Sequence, residues 1–229
     1  LCLAAAIPIA GARAESAVPF ELSQKFVTEH KVKSLVGPSV QVDEQGQVSL
    51  AWMEEEKDVR SVLYARSAEA GGPMGVPVRI NRPEDVPYWR QEAPALVVQG
   101  EDVFVTWGLA HPKATPQQPF ATELRLSRSI DGGKTFQPSV AVNDDPGVIQ
   151  HTFDALHRDA DGRLHLSWID GREGKKEPGT YVARSLDRGA TITRNLKVDE
   201  GTCVCCRTAV TSGPEGMVYV AWRKIFEGN

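Results

Sequence analysis

The 229-residue chain has no marked surplus of charge: 26 Lys and Arg against 30 Asp and Glu leave a formal net charge of −4, with both signs interspersed. No basic stripe stands out to track a phosphate backbone, so nucleic acid is not expected among its partners. It also lacks a hydrophobic run long enough to cross a bilayer. The apolar stretch Leu1 to Ala14 falls short of the ~20 residues a spanning helix needs, so no membrane span is expected. That stretch is rich in small residues and ends in Ala12-Arg13-Ala14, an A-x-A cleavage pattern, but it has no initiator Met and no basic segment ahead of it. Residues 1–14 are therefore expected to be a truncated secretory signal, and the mature protein to be exported, periplasmic or secreted. Cys2 precedes the apolar run instead of following it, so no lipid anchor is expected. Cysteine is scarce. Loss of Cys2 with the signal leaves Cys203, Cys205 and Cys206, an odd number that implies a free thiol, a metal site or a bridge to a cysteine elsewhere.

With 41% hydrophobic and 24% charged residues, the remainder has the composition of an ordinary globular protein. Residues 15–36 show no clear period, apart from an alternating segment at Lys25-Phe26-Val27-Thr28-Glu29 that predicts a strand. From residue 37 onward a unit repeats: a short apolar strand, a Gly-containing turn, an apolar strand ending in Trp, a loop, and a further strand. Trp52, Trp107, Trp168 and Trp222 stand 55, 61 and 54 residues apart. That is the length of a four-stranded blade with its loops, and radial repetition of such blades makes an all-β propeller. A β-sandwich would show turns every 8–12 residues but no Trp repeat at this period.

The most specific stretch is Ser129-Ile130-Asp131-Gly132-Gly133-Lys134-Thr135-Phe136, which reads S-x-D-x-G-x-T-F. Asp131 can accept the N–H groups of its own turn, Gly133 can supply positive φ, and Phe136 can pack beneath. A reduced copy runs from Ser185 through Asp187 and Gly189 to Thr191. The pattern resembles the Asp-box of the sialidase-like (BNR repeat) β-propellers, and the resemblance covers residues 37–229. It implies six blades in a complete propeller, so the three and a half present here are expected to be part of a longer one. In that family the box lies on the face away from the active site.

Repeat geometry places candidate site residues on the opposite face. Arg90, His151 and Cys205 each lie 17 residues before the Trp of their blade, which predicts one ring at the funnel mouth beside Glu92, Asp154, Cys203 and Cys206. Asp170, Arg172 and Arg223 follow their tryptophans on the same face. Arg90, Glu92, His151, Arg172 and Arg223 are thus candidates for binding a glycan or other small ligand. Glu54-Glu55-Glu56 reads as a solvated loop. The resemblance implies arginines that grip a carboxylate, an Asp acid/base, and a Tyr nucleophile helped by a Glu. Asp154 and Asp170 could supply the acid/base by position. However, no R-I-P motif is present, since Arg79-Ile80 is followed by Asn81, and the Tyr–Glu pair would fall beyond these residues.

Cys203-Val204-Cys205-Cys206-Arg207 supports three alternatives. One is a pair of bridges, one local and one to a distant cysteine. The second is a Cu or Zn site, with His151 from the neighbouring blade as a further ligand. The third is redox chemistry on the C-x-x-C spacing. Arg207 stands where a c-type haem signature needs His, which excludes haem attachment. Three functions remain open: a ligand-binding propeller with optional sialidase-like hydrolysis, a cysteine-dependent metal or redox propeller, and a disulfide-stapled interaction module.

Overall fold

Strands form where apolar residues recur on both faces of an alternating segment, as expected of sheets packed between neighbours. The computed structural model describes residues 34–88, 92–174 and 178–226. Blade one comprises β1 (Ser34–Val42), β2 (Val48–Glu56), β3 (Val59–Arg66) and β4 (Val78–Arg79). Blade two comprises β5 (Ala95–Gln99), β6 (Asp102–Ala110), β7 (Thr122–Ser129) and β8 (Val140–Ala141). Blade three comprises β9 (His151–Arg158), β10 (Leu164–Asp170), β11 (Gly179–Ser185) and β12 (Leu196–Asp199). Each is an antiparallel meander in sequence order, and β13 (Ala209–Ser212) pairs with β14 (Val218–Ala221) in a two-stranded sheet. The first strands β1, β5, β9 and β13 neighbour one another in succession, so they form the inner wall. This is the expected propeller arrangement. Among the described residues no helix is long and apolar enough to cross a membrane.

The core lies between blades. Ala51, Met53, Val62 and Tyr64 of blade one pack against Val103, Val105 and Trp107 of blade two. Phe104, Leu124 and Leu126, on the other face of blade two, pack against Leu164, Leu166 and Trp168 of blade three. Period-two alternation explains both: Val105 and Trp107 face one way and Phe104 the other. Trp52, Trp107 and Trp168 are each no more than 1% exposed. Their indole N–H groups donate to Glu54 (3.3 Å), Ser127 (3.0 Å) and Asp170 (2.9 Å), so none of these three buried donors is left open.

The turn after β7 is satisfied from within. Ser129 Oγ donates to Asp131 Oδ1 at 2.6 Å, and the Gly133 N–H donates back to Ser129 Oγ at 2.9 Å. The Thr135 N–H and hydroxyl donate to the two Asp131 oxygens at 2.9 and 2.6 Å. These bonds hold the Asp131 carboxyl down to about 2, with the Ser129 hydroxyl contributing most. The Ser185 turn repeats all four bonds at 2.8, 2.8, 2.9 and 2.6 Å. Gly133 has φ +86°, and a Cβ there would lie 2.0 Å from Tyr64 Cε1 in blade one. Phe136 meets the same ring edge-on, centroids 5.5 Å apart. Each turn thus also seats its blade on the preceding one: Arg188, in the second turn, is ion-paired with Asp102 of blade two.

Two expectations need adjusting. Glu54, Glu55 and Glu56 belong to β2 and not to a solvated loop; Glu54 and Glu55 are buried, and Glu55 meets Arg60 at 2.9 Å. Strand pairing with β3 continues to Glu56, which carries these carboxylates into the sheet. Blade one begins at Ser34, three residues before the expected boundary, with a bulge between Val36 and Ser39 where Gly37-Pro38 cannot keep the ladder. The expected strand at residues 25–29 and the expected signal at 1–14 lie outside the described residues.

Candidate functional site

β2, β6 and β10 end on the face where β5, β9 and β13 begin, so the connecting loops gather there. Three groups of polar side chains occupy this face, and they differ in how much of their chemistry is still available.

The first group joins blades two and three. His151, at the start of β9, is fully buried; its Nε2 lies 2.6 Å from Asp145 and its Nδ1 2.5 Å from the Thr122 carbonyl. Burial opposes charge on this ring, but Asp145, Asp170 and the Thr122 carbonyl outweigh it and hold the imidazole above its ordinary value. Asp170 is also fully buried. It accepts from the Arg172 N–H (2.9 Å), Nε (3.0 Å) and Nη2 (2.9 Å), and from Trp168 (2.9 Å). Arg172 further reaches Asp144 at 2.8 Å and Asn195 at 3.0 Å, and stacks 4.3 Å over the Tyr181 ring. Every hydrogen-bonding group here is consumed by another, so the cluster works as a strut between loops.

The second group draws on three blades. Glu92 precedes β5, Asp154 lies in β9, and Arg207 precedes β13. Burial pushes the Glu92 carboxyl up to about 8; the Phe153 N–H, donating at 3.0 Å, and Arg207 counteract this, while Asp154 adds to it. Burial likewise raises Asp154, against Arg207 and the Thr106 hydroxyl that donates to it. Arg207 remains exposed while donating to the Asp154 carbonyl (2.6 Å) and the Ala93 carbonyl (2.8 Å). Phe153 between them takes φ +55° at a bulge in β9, fixed by Glu92 on its N–H and by Thr208 on its carbonyl. A non-glycine residue in that region costs of order 1 kcal/mol and persists only where its surroundings hold it. A buried protonated carboxyl and an exposed guanidinium thus lie together at the junction of these blades.

The third group is the cysteine loop. Cys203 and Cys206 sulfurs are 3.3 Å apart, Cys203 and Cys205 3.4 Å, and Cys205 and Cys206 4.0 Å, with no bridge among them. The Cys205 N–H and the neighbouring thiols pull Cys203 below its ordinary value, while Cys205, facing the other two, is pushed up to about 11. Arg223 Nη1 lies 3.6 Å from the Cys206 sulfur. Beside the loop, a cavity of about 290 Å3 is lined by Phe120, Ile149, Gln150, Pro178 and Val204.

The predicted residues therefore separate. Glu92 and Asp154 come together, with Glu92 bonded to the N–H of Phe153, the residue before Asp154. His151 and Asp170 begin and end the expected strands, where His151 is bonded to Thr122 and Asp145, and both Asp170 oxygens accept from Trp168 and Arg172. Arg172 is tied to Asp170, Asp144 and Asn195, and Arg223 sits by the cysteines. His151 does not join the cysteines, because both its nitrogens face Thr122 and Asp145. Arg90 lies outside the described residues. Sequence reasoning passed over Arg207, Asp144, Asp145 and Asn195. Only position just before β13 could have marked Arg207, since it forms no motif with its partners.

No protein-family model and no curated protein sequence matches the chain. Solved structures do match. Trypanosoma rangeli sialidase in complex with sialic acid superposes with a TM-score of 0.55 at 14% identity, over 97% of this chain and 37% of that one. The K499G mutant of NanB sialidase from Streptococcus pneumoniae gives 0.53 at 12% identity, over 92% of this chain and 31% of that one. Penicillium chrysogenum alpha-L-arabinanase complexed with arabinobiose gives 0.53 at 12% identity, over 81% and 58%. The chain thus spans between about a third and under two thirds of these proteins' length. At such identities the likeness is one of fold, and the chain has the β-propeller fold shared by sialidases and arabinanases.

Proposed function

We propose that the loop-bearing face binds a carbohydrate at the Glu92–Asp154–Arg207 cluster, in an exported protein of the sialidase superfamily. The observation that carries this is Glu92, a buried carboxyl held up to about 8 next to an exposed arginine. At neutral pH it keeps its proton and can donate to a sugar oxygen, while Arg207 has N–H groups beyond the two bonded to the Asp154 and Ala93 carbonyls to offer a hydroxyl or a carboxylate. The matched structures include one complexed with sialic acid and one with arabinobiose, which favours a sugar as the ligand class. The Ser129 and Ser185 turns, on the opposite face, support kinship with the Asp-box propellers. In the stronger form of the proposal Glu92 acts as general acid toward a glycosidic oxygen, with Asp154 as the second carboxyl.

Binding of the full chain to an immobilised panel of neutral and acidic glycans tests it. A ligand should appear whose binding falls at least about tenfold in both Glu92→Ala and Arg207→Ala, because each change removes a hydrogen-bonding contact to it. Binding that neither change affects would remove the cluster as the site.

A further inference from the structure

We propose that Cys203, Cys205 and Cys206 form a three-thiolate site for a soft monovalent ion, Cu(I), on the loop-bearing face. The inference is independent of the carbohydrate reading, which uses none of these sulfurs.

The loop that carries them is built before any ion arrives. Thr202 N–H donates to the Pro178 carbonyl at 2.9 Å, Cys203 N–H to the Arg223 carbonyl at 2.8 Å, and Ile225 N–H to the Gly201 carbonyl at 2.8 Å. The Thr202 hydroxyl meets Thr180 at 2.8 Å beneath the loop. Cys203 through Cys206 then turn tightly, closed by a 3.4 Å bond from Cys206 N–H to the Cys203 carbonyl. Anchored at both ends, the turn brings three sulfurs of four consecutive residues to one side.

Their spacing fits an ion. A metal about 2.3 Å from each sulfur requires sulfur–sulfur edges of roughly 3.8 Å as three corners of a tetrahedron and about 4.0 Å in a plane. The edges here are 3.3, 3.4 and 4.0 Å, so movements of a few tenths of an ångström suffice. The three sulfurs form a group of their own: no imidazole or carboxylate among the described residues joins them within ligand spacing. Thiolates alone select soft ions, and a set of three suits Cu(I) better than Zn2+, whose structural sites take four protein ligands. Three thiolates around a monovalent cation leave two negative charges, which Arg223, 3.6 Å from Cys206, partly offsets. Cys203 is buried while Cys205 is exposed, so one edge of the site opens to solution and an ion there can be exchanged.

The test uses the full chain, reduced and kept under anaerobic conditions, and titrated with Cu(I) against a competing chromophoric chelator. One Cu(I) per chain is expected, with an ultraviolet thiolate-to-copper absorption and three sulfur neighbours by X-ray absorption. Each single Cys→Ser change should weaken binding by about 100-fold or more, since even outer-shell changes at metal sites cost 10–100-fold. Cys205→Ser keeps the proposal falsifiable if Cys203→Ser fails to fold, because Cys205 is exposed. Unchanged Cu(I) affinity in Cys205→Ser would overturn the site. So would fewer than three titratable thiols in the unreduced denatured protein, which would mean bridges, or preferential retention of Zn2+ over Cu(I).

Discussion

Replacing Glu92 by Gln separates the consequence of its buried carboxyl from the shape of the site, because the amide keeps an oxygen for the Phe153 N–H. Burial raises the folded-state carboxyl from 4.5 to about 8, whereas the unfolded chain titrates near its ordinary value. Between those values the folded state holds a proton that the unfolded state has released, so wild-type stability falls as pH rises. Below that window both states are protonated, above it both are ionised, and the dependence levels off. At ~1.36 kcal/mol per unit the full shift amounts to about 5 kcal/mol, and relaxation around the charge brings the expected effect to about 2–5 kcal/mol. Urea denaturation of the full chain, followed by the fluorescence of the buried tryptophans, reads this directly. Wild type and Glu92→Gln should be close at about pH 5 and diverge progressively toward about pH 8, the variant becoming the more stable. Asp154 shifts in the same direction and remains in both proteins, so it largely cancels. Profiles that stay parallel across the window would refute the claim that Glu92 is held protonated.

Two further changes probe the scaffold that positions the loops. Arg172→Ala leaves Asp170 buried without its guanidinium and should cost about 3–5 kcal/mol in the same denaturation assay, whereas a cost near zero would mean that the strut between blades two and three is ornamental. Gly133→Ala places a methyl group against the Tyr64 ring at a left-handed backbone position; a loss of at least about 1–3 kcal/mol is expected, and a neutral result would show that the turn does not seat blade two on blade one.

What the chain order alone determined is what local chemistry decides. Strand alternation, the Trp period and the hydrogen bonds of Ser129 with Asp131, Gly133 and Thr135 act over a few residues, so blade number and turn position are legible without a structure. The cysteine convergence belongs here too, since a tight turn in four residues brings the sulfurs together. What only the tertiary structure decided depends on partners far apart in the chain. Glu54 and Glu55 look like a solvated charge run until β2 and β3 pair through Glu56. His151 holds its position in the repeat by spacing from Trp168, but it is buried because Thr122 and Asp145, from another blade and its connecting loop, close over both its nitrogens. Glu92 and Arg207 precede, and Asp154 lies within, the inner strands of three successive blades, with no motif in common. Their meeting is a product of ring geometry, and the raised carboxyl comes from desolvation, which no spacing in the sequence encodes.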